Sequence, residues 1–125
     1  MPEICSIWLV NVSGLFPHRN TKQAVCVSVT GNRYLVINTE HRQMYDDFCI
    51  KSSEYPFLGG TDRYIACSRV HCFEAERLIK KVGSLNPADT KILIEKMKKS
   101  RVLDKIEKNA ILPGLEEWLS DNSRF

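Results

Sequence analysis

The chain has 125 residues, enough for one hydrophobic core and too few for two. Apolar residues make up 43% and charged residues 26%, which excludes a disordered chain, and no apolar run approaches the roughly 18 residues of a membrane span. The net charge of +3 is mildly basic and does not by itself mark a nucleic-acid binder.

Met1-Pro2-Glu3-Ile4-Cys5 lacks a basic stretch followed by a long apolar one, so no secretory signal and a cytoplasmic location are expected. Ile4 to Val12 is apolar and β-branched and predicts a first strand, broken by Ser13-Gly14 and Pro17. Ala24 to Val29 and Tyr34 to Thr39 are two β-rich runs joined by Thr30-Gly31-Asn32-Arg33, the pattern of a hairpin, with Val27 and Val36 expected in the core. Phe48 to Lys51 predicts a fourth strand and Arg63 to Val70 a fifth, with Tyr55 to Gly60 as a loop between them. Glu74 to Val82 fits either a short helix or a further strand. Asn86, Pro87 and Asp89 form a helix start of cap, first-turn proline and first-turn acid. Ile92, Leu93, Met97, Leu103 and Ile106 trace an apolar stripe behind it. Ser100 is expected to interrupt it, with a second short helix over Arg101 to Lys108. Pro113-Gly114 is expected to break the chain before a last turn at Leu115 to Leu119. Strands followed by helices give an α+β fold in a single domain over 1–125. Residues 1–73 would form a small barrel or strongly bent sheet, and residues 74–125 a mainly helical part.

Charge is unevenly spread along the chain. Residues 1–73 hold seven Lys and Arg against six Asp and Glu, whereas residues 77–108 hold ten against four. That second stretch is either a solvated helix face or a surface that meets a polyanion. The five cysteines show no C-x-x-C pair, and an odd number without a signal argues for reduced thiols. Cys26 and Cys67 lie in strand-like runs, where cysteine packs as a small hydrophobe. His71 and Cys72 are adjacent, and on a strand they would point to opposite faces and not act as a pair. No Gly-x-Gly-x-x-Gly, phosphate-loop or His-Glu-x-x-His motif occurs, no cofactor or metal is expected, and Asp46-Asp47 reads as a solvent-exposed acidic pair. Tyr34, Tyr45, Tyr55, Phe57 and Tyr64 are candidates for base stacking, with Tyr34 and Tyr64 equally suited to the core.

The segment Lys22-Gln23-Ala24-Val25-Cys26-Val27-Ser28-Val29 resembles the second strand of the MazF/PemK toxin family, in which a basic residue and an Arg-Pro pair precede an apolar run ending in Ser. Tyr34 to Thr39 resembles the next strand, which ends in a polar residue. Ser53 to Leu58 and Asp62 to Ser68 resemble the apolar loop and following strand of a divergent PemK-like branch, so the likeness spans roughly residues 4 to 108. It implies an SH3-like barrel with C-terminal helices, and metal-independent endoribonuclease activity on single-stranded RNA within a toxin–antitoxin pair. The implied partners are RNA, an acidic antitoxin-like protein and a second copy of the chain. Such chemistry uses the 2′-OH of the RNA as nucleophile and needs a proton acceptor, a proton donor and positive charge at the phosphate.

On the resemblance, Lys22 matches the basic residue and Thr39 the polar strand end. The family's Arg-Pro pair falls on Gln23-Ala24, and Gln supplies neither charge nor proton. Another cation must then substitute, or the chain is an inactive barrel that serves as a protein- or nucleic-acid-binding module. His18, Arg19, His41 and Arg42 are near in sequence. His41 suits proton exchange and Arg42 a bidentate phosphate contact, though both also fit a solvated loop. The expected catalytic set is therefore Lys22, Thr39, His41 and Arg42, with Arg19 and Arg69 as RNA-binding residues.

Overall fold

A computed structural model describes residues 2–123. Six strands form one antiparallel sheet: β1 (Ser6–Asn11), β2 (Thr21–Ser28), β3 (Arg33–Asn38), β4 (Phe48–Ile50), β5 (Arg63–Cys72) and β6 (Leu78–Ser84), in the order β4-β5-β3-β2-β1-β6. Two helices follow, α1 (Pro87–Lys99) and α2 (Lys105–Asn122). The α+β class is as expected. The expected closed barrel is not found, because β4 pairs only with β5 and β6 only with β1. Closure would need those two edges to meet, and β4, three residues long, offers little ladder for it.

The hairpin of β2 and β3 is the centre of the sheet. Ala24 pairs with Val36 and Val25 with Leu35, across a turn in which Asn32 takes a left-handed conformation at φ +51°. Alternation along these strands sends side chains to two apolar clusters. Val25, Val27, Leu35 and Ile37 pack with Leu93, Met97, Ile111 and Leu115 of the helices. Ala24, Cys26, Tyr34 and Val36 pack with Val10, Val12 and Phe73. Both faces are covered, so Ala24 to Ser28 read as a continuous buried run. Val27 and Val36 are core residues, as the pattern predicts.

The ambiguous stretch after Phe73 is strand β6, preceded by a 3₁₀ turn at Ala75–Arg77, so the sheet extends into the part expected to be helical. Phe57, in the 3₁₀ turn Pro56–Leu58, rests where a Cβ on Gly83 would lie 2.6 Å from its ring, so only glycine allows this contact. Helix α1 begins as read: the Asn86 side chain accepts from the Asp89 amide at 2.8 Å. The stripe behind it is only partly as expected. Leu93, Met97 and Leu103 are buried, Ile92 and Ile106 are exposed, and Thr90 and Ile94 take the inner positions. The expected break at Pro113 does not occur, and α2 runs through it. Pro113 is exposed, while Ile111 and Leu115 on either side are fully buried, so tertiary packing offsets the lost backbone donor. No described helix is long and apolar enough to cross a membrane.

Candidate functional site

A pocket of about 470 Å³ opens beside β2, β3 and β5. Five cationic side chains line it: Arg19, Lys22, Arg42, Arg63 and Arg69. They come from a stretch whose net charge is only +1 and make up five of its seven basic residues. The other two are paired elsewhere, Arg33 with Glu107 at 3.0 Å and Lys51 with Asp62 at 3.5 Å. Glu40 is the single acidic residue in the lining.

Each cation arrives by a local device. Arg19 lies in the loop between β1 and β2, which also carries Phe16 and turns at Gly14, φ +81°, and His18, φ +60°. Lys22 stands near the start of β2. Its Nζ donates to Asn38 Oδ1 at 2.5 Å and lies 5.2 Å from the Phe16 ring centroid. Arg69 belongs to a bulge: β5 pairs Ile65 with Ile37 and Val70 with Leu35, leaving residues 66–69 opposite Val36 alone. Arg69 then reaches Tyr45, its guanidinium 4.8 Å from the ring centroid and its Nη1 2.8 Å from the hydroxyl. Tyr45 is positioned by a 3₁₀ turn at Gln43–Tyr45. Arg42 donates Nη2 to Glu40 at 2.8 Å, an exposed pair that holds it weakly.

Burial, with neighbouring positive charge added, alters two of the basic groups. Burial holds the Lys22 ammonium below its ordinary value of 10.5, and the charges of Arg19 and Arg69 add to this. Burial likewise lowers His71 from 6.5, with Arg69 and Lys22 adding to the shift. Three buried polar atoms in the lining have no hydrogen-bond partner: Gln23 Oε1, Arg63 Nε and His71 Nε2. Buried polar atoms are seldom left so.

Five of the six residues expected from the sequence meet here: Lys22, Thr39, Arg42, Arg19 and Arg69. His41 does not line the pocket. Its Nδ1 lies 2.6 Å from Asp47 Oδ1, and its ring packs against Tyr64. Asp46-Asp47 is not the exposed pair expected: Asp47 is buried and accepts from the Arg42 amide at 2.6 Å, and Asp46 accepts from Ser100 Oγ at 2.7 Å. Both carboxylates are structural: Asp47 accepts from the backbone at Arg42, and Asp46 holds the Ser100 hydroxyl, which itself accepts from the amides of Val102 and Leu103.

Of the aromatic candidates, Tyr45 reaches the pocket; Tyr34 and Tyr55 are buried, and Tyr55 donates to Asp89 at 2.5 Å. Gln23 is in the lining with Arg63, a cation the sequence reading passed over. So is His71, whose place in the sequence beside Cys72 gives no sign of it. Strand alternation around Ile65 would have placed Arg63, but the bulge that turns β5 leaves no mark in the sequence. All five cysteines are free, with Cys5, Cys26 and Cys67 buried and the thiols of Cys5 and Cys26 pushed up to about 12 and about 11 by burial. In comparison with known proteins, no family model and no curated protein matches the chain.

Proposed function

We propose that this pocket binds the backbone of single-stranded RNA and that the chain is a metal-independent endoribonuclease of the MazF/PemK toxin type. The observation that supports it best is the convergence of Arg19, Lys22, Arg42, Arg63 and Arg69 on one open pocket that also holds Phe16 and Tyr45. Cations interleaved with aromatic rings suit a phosphate backbone with unstacked bases. On this reading Arg19, Arg42 and Arg69 neutralise phosphates, Lys22 contacts the scissile phosphate, and the Thr39 hydroxyl donates to one of its oxygens. Arg63 or Arg69 supplies the guanidinium that Gln23 does not. The six-stranded sheet then corresponds to the family's barrel left open between β4 and β6, and an acidic antitoxin-like protein would compete for the same pocket.

The test is incubation of the purified chain with mixed-sequence single-stranded RNA in the presence of a chelator. Cleavage of RNA, with DNA of the same sequence left intact, is expected. RNA that stays whole overturns the endoribonuclease. A second reading, binding without cleavage, is favoured by Gln23 at the family's arginine position, and salt-sensitive RNA binding with no cleavage would select it.

A further inference from the structure

We infer that His71 is the proton acceptor of this pocket, taking the 2′-OH proton of a ribonucleotide whose phosphate rests on Lys22 and Arg69. The inference deepens the ribonuclease reading above and rests on it. His71 stands on β5 just beyond the bulge, opposite Tyr34 of β3. Its ring lies parallel to Phe73, 3° between planes and 5.7 Å between centroids, and is tilted 55° against Phe16 at 5.1 Å. Two aromatic neighbours thus fix its orientation; its Nε2 is buried without a partner, so the proton is taken at the other ring nitrogen, Nδ1.

The charged groups that face it are Lys22 from β2 and Arg69 from β5. Tyr34 is its neighbour on β3, and the β1–β2 loop presents the Phe16 ring. Among the described residues no carboxylate stands within ion-pair distance of it. Burial between cations favours the neutral ring, which can accept a proton. Lys22 complements it. Burial, with the charges of Arg19 and Arg69 adding to it, makes its ammonium a readier donor than an ordinary lysine, and Asn38 holds it in place.

The step balances without a co-reactant. The 2′-oxygen forms a bond to phosphorus as the bond from phosphorus to the 5′-oxygen breaks. The 2′-OH proton passes to His71, and the leaving 5′-oxygen takes a proton from Lys22. The products are a 2′,3′-cyclic phosphate and a 5′-hydroxyl. DNA, which has the phosphates but no 2′-OH, is bound and left uncut.

The experiment compares the wild-type chain with His71→Asn for cleavage and for binding of the same RNA, over a range of pH. Wild-type cleavage is expected to rise with pH through the titration of His71 and to fall once Lys22 loses its proton. His71→Asn should lower cleavage by about 10²-fold or more and abolish the rising limb, with affinity changed less than about threefold. Imidazole resonances give a readout apart from activity: His71 should titrate below the ordinary value of 6.5 and move upward when inorganic phosphate is added. If the wild type cleaves and His71→Asn cleaves equally well, the assignment of His71 is overturned and the ribonuclease reading stands. If the wild type binds RNA and never cleaves it, both are overturned. A His71 resonance that titrates at or above 6.5 and ignores phosphate overturns the assignment on its own.

Discussion

The two basic regions of the molecule are built in opposite ways. The C-terminal region is dense in sequence, ten Lys and Arg within residues 77–108, yet it spreads them over the turn before β6, β6 itself, α1, the link after it and α2. Several are engaged with the chain itself: Lys98 with Glu116 at 3.3 Å, and Lys108 with the carbonyls of Lys98 and Ser100 at 3.0 and 2.7 Å. The pocket draws on a near-neutral stretch, and its five cations stand up to fifty positions apart, from Arg19 to Arg69. Convergence matters more than density here. Charges that share one concavity add their potentials, whereas charges on a convex helix face are separated by solvent and screened.

The largest expected effect comes from removing the floor of the pocket. Val36 is 3% exposed and lines it from below, so Val36→Asp places an unpaired charge against the second apolar cluster. A loss of about 3 kcal/mol or more is expected, enough to unfold a marginal domain. Val102 in the helical region is 67% exposed, and Val102→Asp should stay within about 0.5 kcal/mol. Thermal melts of the two variants check the pair of outcomes, and equal melting would mean that the β3 register is misplaced.

Binding tests the contrast more directly. The double change Lys22→Ala with Arg69→Ala removes two convergent cations and is expected to weaken single-stranded RNA binding by about 10²-fold, since each charge-assisted contact contributes roughly 1.5–3 kcal/mol. It should also flatten the dependence of log affinity on log salt by about 1.4, at roughly 0.7 per neutralised phosphate. Lys96→Ala with Lys99→Ala, two exposed lysines of α1, should cost less than about threefold. Equal losses from the two pairs would mean that the helical face carries the binding.

Stability should respond to pH with opposite sign in the two regions. His71 is lowered by burial and by Arg69 and Lys22, so between that lowered value and 6.5 the unfolded chain holds the extra proton. Stability therefore rises with pH across this window and is lost as pH falls through it. Asp89, at the start of α1, is raised above 3.8, chiefly by burial, against which the Tyr55 hydrogen bond works. The folded chain holds the extra proton there, so stability falls as pH rises from 3.8 to that raised value. Denaturant midpoints followed across pH should lose the first slope in His71→Asn and the second in Asp89→Asn. The smallest expected effect is none: with five free cysteines, a reductant should leave the melting temperature unchanged, and a clear drop would reveal a disulfide.

Local signals were legible wherever neighbours in sequence decide the structure. The hairpin could be read because two β-branched runs flank Gly31-Asn32, and the start of α1 because Asn86, Pro87 and Asp89 each act within one turn. Five of the six expected site residues line one pocket: Lys22 stands near the start of β2, Arg19 just before it, Thr39 and Arg42 after the end of β3, and Arg69 on β5. His41 stands outside the lining, held to a carboxylate six positions on, Asp47, whose burial no local pattern announces.

By itself, then, the sequence determined the α+β class, the central strand pair, the capped helix and most of the basic residues of the pocket. Only the tertiary structure decided that the sheet stays open, that α2 passes through Pro113, and that β5 bulges opposite Val36 to bring Arg69 and His71 into line with Lys22. The reason is physical. Alternation and capping are properties of a few consecutive residues. Strand-edge pairing, tolerance of a proline and the aim of a bulge are settled by contacts between segments far apart in the chain, where burial and charge are shared.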